Sequence, residues 1–250
     1  MRKKLLIGNW KMNKTRAEAE TFGVTSLELT KLAKEKGIDI GVTPPFLAIE
    51  TVAKANKDLI IGAQNCHYLD KGAYTGEVSV PMLLDLPVTM CLVGHSERRT
   101  YYNETNESCN RKIKRLFEAN LGALYCVGET LEEFEAGISK EVVKKQVLEG
   151  LEGLEAAQLE KLVIAYEPVW SIGTGKNASK EIAEDVCGFI RDIIAKRFNK
   201  KVASKLRILY GGSVKPNNIH DYLKMENIDG ALVGGASLDS ESYRALIANI

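Results

Sequence analysis

Eight short apolar runs, each followed by a longer amphipathic stretch, constrain this chain more than any other feature. The runs fall at 5–8, 38–42, 59–62, 89–93, 122–127, 162–166, 206–210 and 230–233. Most are continuously apolar and do not alternate with polar residues, which is the pattern of strands buried on both faces in a parallel sheet. The stretches between them have helical periodicity. Ile182, Val186, Phe189, Ile190 and Ile193 recur on one helical face, and Ile138, Val142, Val147, Leu151 and Leu154 line another, with Glu and Lys opposite. Thr130 followed by Glu133 has the spacing of a capping box at the start of a short helix.

Strands alternating with helices predict a parallel sheet joined by right-handed crossovers. The units are evenly spaced, and no GxGxxG follows the first strand. Both facts favour a closed (β/α)₈ barrel over an open doubly wound sheet. A length of 250 residues suits one such barrel, and no linker, low-complexity segment or charge block divides the chain. A single domain over 1–250 is expected.

The charge balance narrows the partners. With 34 basic and 33 acidic residues the net charge is +1, so there is no electrostatic reason to expect nucleic acid or a membrane surface. A local anion site stays open, because backbone amides suffice to build one. The five cysteines (Cys66, Cys91, Cys109, Cys126 and Cys187) are odd in number, widely spaced and free of any CxxC pair. They read as reduced thiols of a cytosolic enzyme. The basic start is followed by only Leu5, Leu6 and Ile7 before Gly8, too short for a signal peptide, and no run approaches the roughly 18 apolar residues of a membrane span. A cytoplasmic protein is expected.

In a (β/α)₈ barrel the C-terminal strand ends meet at one mouth, where active sites are built. Polar residues cluster at those ends here. Asn9 and Lys11 follow the first strand, and a lysine there places positive charge near an anionic substrate. His95 follows the fourth strand, in GHSERR. Ser96 can cap the helix after it, which puts His95 near a helix N-terminus, where a neutral imidazole is favoured. His67 and His220 do not directly follow a strand. Glu97, Arg98 and Arg99 read as an ion-paired cluster, for the arginines a structural one.

Glu167 follows the sixth strand and is a candidate base, with desolvation expected to raise its pKa toward the working pH. The apolar segment after it, running from Pro168 to the glycines at 173 and 175, suits a lid that excludes water, although a loop packed permanently on the surface has the same composition. Gly211, Gly212 and Ser213 follow the seventh strand, and Gly234 and Gly235 the eighth. Barrels bind phosphate with these two loops, where glycines let backbone amides approach an anion. No metal cluster, Ser-His-Asp elbow, Walker loop or nucleotide fingerprint occurs. What remains is cofactor-free acid–base chemistry on a phosphorylated substrate.

Together, GNWKMN from Gly8, VGHSERR from Val93, AYEPVWSIGTGK from Ala165, YGGSV from Tyr210 and GALVGGASL from Gly230 resemble the triosephosphate isomerase family in order and spacing. The resemblance covers essentially the whole chain. It implies an isomerase of glycolysis and gluconeogenesis that interconverts dihydroxyacetone phosphate and D-glyceraldehyde 3-phosphate without a cofactor. It further implies that Glu167 is the base, that His95 polarises the substrate oxygens, and that Lys11 and Asn9 bind substrate. Gly173, Ser213, Gly234 and Gly235 match the positions whose amides hold phosphate, and Glu97 and Cys126 match supporting positions beside the site. GAYTGEVS from Gly72 resembles the family's interdigitating loop, implying a homodimer in which Thr75 and Gly76 reach the partner subunit. One departure is Ser171, where the lid more commonly carries alanine. The alternatives are another cofactor-free phosphosugar barrel enzyme, such as an aldolase or epimerase, and a non-catalytic phosphate-binding barrel.

Overall fold

The computed structural model describes residues 2–172 and 177–250. All eight expected runs are strands: β1 (Leu5–Asn9), β2 (Asp39–Thr43), β3 (Ile60–Ala63), β4 (Met90–Val93), β5 (Gly122–Val127), β6 (Leu162–Tyr166), β7 (Arg207–Tyr210) and β8 (Gly230–Val233). Every neighbouring pair is parallel and β8 closes on β1, so that Leu5 faces Asp39 on one side and Gly230 on the other. The observed bounds of β5, β6 and β8 match the expected ones, and the others shift by one residue at one or both ends.

The side chains explain why the runs are continuously apolar. Leu5, Ile7, Met90, Leu92, Leu124, Cys126, Val163, Ala165, Leu209 and Leu232 pack together inside the barrel. The residues alternating with them, such as Leu6, Cys91, Ala123, Tyr125 and Ile164, pack outward against the helices. Each strand therefore has two dry faces.

Eleven α-helices lie among the described residues: α1 (Arg16–Glu35), α2 (Ile49–Ala55), α3 (Val80–Leu84), α4 (Ser96–Tyr102), α5 (Asn106–Glu118), α6 (Leu131–Glu135), α7 (Ser139–Gly150), α8 (Lys180–Arg197), α9 (Lys200–Lys205), α10 (Ile219–Leu223) and α11 (Ser240–Ala248). The expected capping box forms at α6, where the Thr130 side chain accepts from Glu133 N–H and Glu133 reaches back to Thr130 N–H. In α8, Val186, Ile190 and Ile193 are buried and Ile182 and Phe189 pack at the core's edge, as their spacing predicts. The face expected for α7 needs correction. Val143 and Val147 are its buried valines, while Ile138 precedes the helix and is exposed, and Leu151 and Leu154 are buried beyond its end. The chain leaves the helical path at Leu151, which breaks the periodicity that would join those residues into one stripe.

The two ends of the chain are joined at the barrel. The Tyr243 hydroxyl on α11 lies within hydrogen-bond distance of Leu6 O and Gly41 O. Asp229, just before β8, accepts from Arg2 at 2.6 Å and from Arg191 and Ile208 N–H at 2.8 and 2.9 Å. This buried ion cluster holds the end of the barrel opposite the mouth.

Candidate active site

β1 delivers Asn9 and then Lys11 to the mouth. Lys11 has φ 52°, in the left-handed region, which costs a non-glycine residue about 1–2 kcal/mol. Local hydrogen bonds hold it there. Its N–H donates to Asn9 Oδ1 at 3.0 Å, and Gln64 Nε2 donates to both Lys11 O and Thr43 O at 2.8 Å. The Lys11 ammonium ends 2.6 Å from Glu97 Oε1. Neither the strained backbone nor the role of Gln64 has a sequence signature, because both depend on how three strand ends meet.

Gly94 turns the chain after β4 with φ 73°, a conformation that suits glycine. His95 follows as the N-cap of α4, and its Nδ1 accepts the Glu97 N–H at 3.2 Å. This corrects the expectation that Ser96 is the cap. His95 has the extended ψ of 140° that a cap needs, while Ser96 is already the first helical residue. Ser96 still serves the site: its N–H donates to Glu167 Oε2 at 3.0 Å.

The loop carrying His95 is anchored by a residue that sequence reading missed. Glu104, buried after α4, accepts from Gly94 N–H, Arg98 Nε and Lys112 Nζ at 2.7, 2.8 and 2.8 Å. Lys112 also reaches Asn65 Oδ1 at 2.8 Å. Glu104 follows no strand and sits in no recognisable motif, so only tertiary contacts reveal it. Arg99 donates to Gly94 O at 2.8 Å, in keeping with the structural reading of the arginines.

Glu167 leaves β6 with its N–H bonded to Val127 O and is only 2% exposed. Its Oε1 lies 3.1 Å from His95 Nε2. Gly211 makes the room, since a Cβ there would lie 2.8 Å from Glu167 Cγ. The segment after Glu167 is tied down at its start. Trp170 Nε1 donates to Glu129 Oε1 at 2.9 Å, and the indole stacks on Phe134.

A cavity of about 290 Å³ is lined by Asn9, Lys11, His95, Glu167, Ile172, Gly211, Gly212, Ser213, Gly234 and Gly235. Residues from β1, β4, β6, β7 and β8 thus meet at one place. A Cβ on Gly235 would meet no protein atom within 4 Å and one on Gly234 only Lys11 Cε at 3.6 Å, so these two glycines border open space that an anion can fill. Gly173, expected to hold phosphate, lies outside the described residues. Glu97 and Gly76 line an adjoining cavity of about 260 Å³ together with Met12 and Tyr102. Thr75 is exposed on the same loop. Cys126 does not line either cavity. It lies in the barrel interior, where burial and the Glu167 charge push its thiol well above the ordinary cysteine range, which keeps it protonated and inert.

The charges correct a second expectation. Burial alone would raise the Glu167 pKa, but His95, the Ser96 N–H and Lys11 together hold it below its ordinary value of 4.5. In this arrangement Glu167 is a stabilised carboxylate and a weak base. For His95, burial lowers the pKa and the facing Glu167 charge raises it, with a net rise. The nitrogen available for that extra proton is Nδ1, and Nδ1 already accepts the Glu97 N–H. An imidazole with a proton on Nε2 faces the Glu167 carboxylate with that proton while Nδ1 accepts the Glu97 N–H.

The family model for triosephosphate isomerase matches residues 4–250. The chain is 52% identical over 249 residues to a protein named triosephosphate isomerase from Carboxydothermus hydrogenoformans, covering 99% of this chain and 98% of that one. It is 52% identical over 245 residues to the one from Dictyoglomus thermophilum, covering 97% and 98%. It is 46% identical over 248 residues to the one from Streptococcus equi subsp. zooepidemicus, covering 98% of each.

Proposed function

The chain belongs to the triosephosphate isomerase family, and from that premise we propose that Glu167, His95 and Lys11 carry its isomerisation. The reaction is the intramolecular interconversion of dihydroxyacetone phosphate and D-glyceraldehyde 3-phosphate, a step of glycolysis and gluconeogenesis. The observation that supports these three residues best is their convergence. A buried carboxylate, an imidazole Nε2 at 3.1 Å from it and a lysine border one cavity flanked by two glycine-rich strand ends.

Phosphate binds at Ser213, Gly234 and Gly235, with Asn9 and Lys11 on the sugar side. Glu167 leaves the Ser96 N–H and His95 and turns into the cavity. Leaving those partners removes what holds its pKa down, while desolvation remains, so its basicity rises where the proton is to be taken. It then removes the proton from the carbon next to the carbonyl. His95, freed from Glu167, donates from Nε2 to the substrate oxygens, and Lys11 supplies positive charge as the enediolate forms. The same carboxyl returns its proton to the neighbouring carbon, while His95 gives its Nε2 proton to the former carbonyl oxygen and takes the hydroxyl proton from the neighbouring oxygen, so enzyme and product both end balanced. Ile172, on the apolar segment after Glu167, lines the cavity and helps keep water from the base and the intermediate; the rest of the expected lid, 173–176, lies outside the described residues.

The working unit is a homodimer of single-domain chains. Met12 is 97% exposed and Tyr101 and Tyr102 are 73% and 66% exposed. Met12 and Tyr102 line the cavity that Gly76 borders, so the rim of the site carries apolar surface suited to a second copy. No helix among the described residues is long and apolar enough to cross a membrane, and all five cysteines are free and buried, which suits a cytosolic enzyme.

An isomerisation assay with glyceraldehyde 3-phosphate as sole substrate, without added metal or nucleotide, tests this reading. Formation of dihydroxyacetone phosphate that Glu167→Asp largely abolishes is expected. Turnover of the variant within a few-fold of the parent would remove Glu167 from its role.

A further inference from the structure

A cavity of about 830 Å³ opens at the end of the barrel opposite the catalytic mouth, where the mouth cavity measures about 290 Å³. It lies within the roughly 300–1,000 Å³ range of small-molecule sites. Its floor is the start of the strands. Ile60 of β3, Met90 of β4 and Val163 of β6 face it, and Gly122 of β5 contributes no side chain there. Its walls are the 3-10 turn Ala156–Lys161 and α9. Ile60 and Val202 remain half-buried, so apolar side chains line a space that no protein group fills.

The rim is predominantly cationic. Four cationic side chains line the cavity against a single acid, Glu160. Two of the four are engaged: Arg207 bonds Asp39 Oδ2 at 2.8 Å, and Lys161 bonds Asn120 O and Oδ1 at 2.7 and 2.6 Å. Lys201 and Lys205 are different. They are exposed, stand one turn apart on α9 and so share a face, and their ammonium groups have no ion pair or hydrogen bond among the described residues.

We propose that this end of the barrel is a second binding site, for an amphipathic carboxylate. An unbranched acyl chain would lie along Ile60, Met90, Val163 and Val202, and its carboxylate would sit between Lys201 and Lys205. The apolar floor argues against a sugar phosphate, whose hydroxyls would find no partners on it. A carboxylate between the two lysines gains a charge interaction that a neutral lipid lacks. The site lies at the far end of the strands from Glu167 and does not depend on the assignment of the catalytic residues.

Calorimetric titration of the full protein with decanoate, kept below its micelle concentration, tests the proposal. One molecule should bind per chain, and saturating inorganic phosphate, which occupies the catalytic mouth, should not displace it. Decanol should bind about tenfold more weakly than decanoate, and so should decanoate to the Lys201→Glu, Lys205→Glu double variant. Val202→Trp should fill the cavity and abolish binding. Isomerase activity reports whether each variant is folded, and the double variant changes only exposed side chains if the tryptophan is not accommodated. No saturable binding, displacement by phosphate, or equal affinity in the double variant would each overturn the proposal.

Discussion

Glu167 Oε1 lies 3.1 Å from His95 Nε2 while Glu167 Oε2 accepts the Ser96 N–H. Two of the three groups proposed for the chemistry are therefore in contact across the mouth. With the Ser96 N–H, the imidazole gives the buried carboxylate polar partners that offset its loss of water. On the proposed mechanism, neither is free to work until substrate separates them.

Shortening the base is the most direct test. Glu167→Asp should keep the fold, because the carboxylate still has the Ser96 N–H and His95 within reach of a small adjustment. It should lose about 10²- to 10⁴-fold in kcat, the usual contribution of a general base. A coupled assay beside a thermal melt separates the two effects.

His95 has two roles that two substitutions can divide. His95→Asn and His95→Ala both take the imidazole away from the buried Glu167 carboxylate and so should both destabilise, but His95→Asn keeps a good N-cap for α4. His95→Ala removes the cap as well and should cost about 0.5–2 kcal/mol more. Both should lose about 10²- to 10³-fold in kcat, as loss of a donor to a developing oxyanion does. Urea denaturation and steady-state kinetics on the pair would check it, and equal stabilities would refute the capping role.

Glu104 predicts a pH dependence. Burial would raise its carboxyl pKa, but Lys112, Arg98 and the Gly94 N–H hold it below the ordinary 4.5. A carboxylate whose folded pKa is lowered adds stability above its unfolded value, and that stability is lost as pH falls through the folded value. Glu104→Gln leaves Lys112 and Arg98 without their buried counter-charge and should cost about 3–5 kcal/mol at pH 7. The gap from the parent should narrow as pH drops below 4.5. Unfolding midpoints measured at neutral and acid pH would show a constant gap if Glu104 is not ionised in the fold.

The loop carrying Thr75 and Gly76 tests the assembly. Gly76 has φ 93°, so any side chain there is strained in addition to adding bulk. Replacing both residues with bulky charged ones should yield monomers of low activity. Sedimentation and an activity assay on the same sample check this, and fully active monomers would exclude the dimer's role at the site.

Much of this was legible in the chain. Buried parallel strands must be apolar on both faces, so all eight announced themselves, with errors only at ends where a residue's pairing depends on its neighbour strand. The α6 capping box was equally legible, because its bonds join residues three apart. The face of α7 was misread because the chain leaves the helix at Leu151, and nothing in apolar spacing marks that exit. The cap of α4 was misassigned because serine is the commoner capping residue, while the backbone angles gave the position to His95.

The sequence by itself determined the strand order, the closed barrel and the polar residues that arrive at its mouth, because these follow from local periodicity and the position of each residue along its own strand. Only the tertiary structure decided how those residues act on one another. The lowered pKa of Glu167, its contact with His95, the left-handed Lys11 held by Gln64 and the Glu104 anchor all arise between groups far apart in the chain. Coulombic and hydrogen-bond energies depend on distance in space and on burial, and sequence spacing encodes neither.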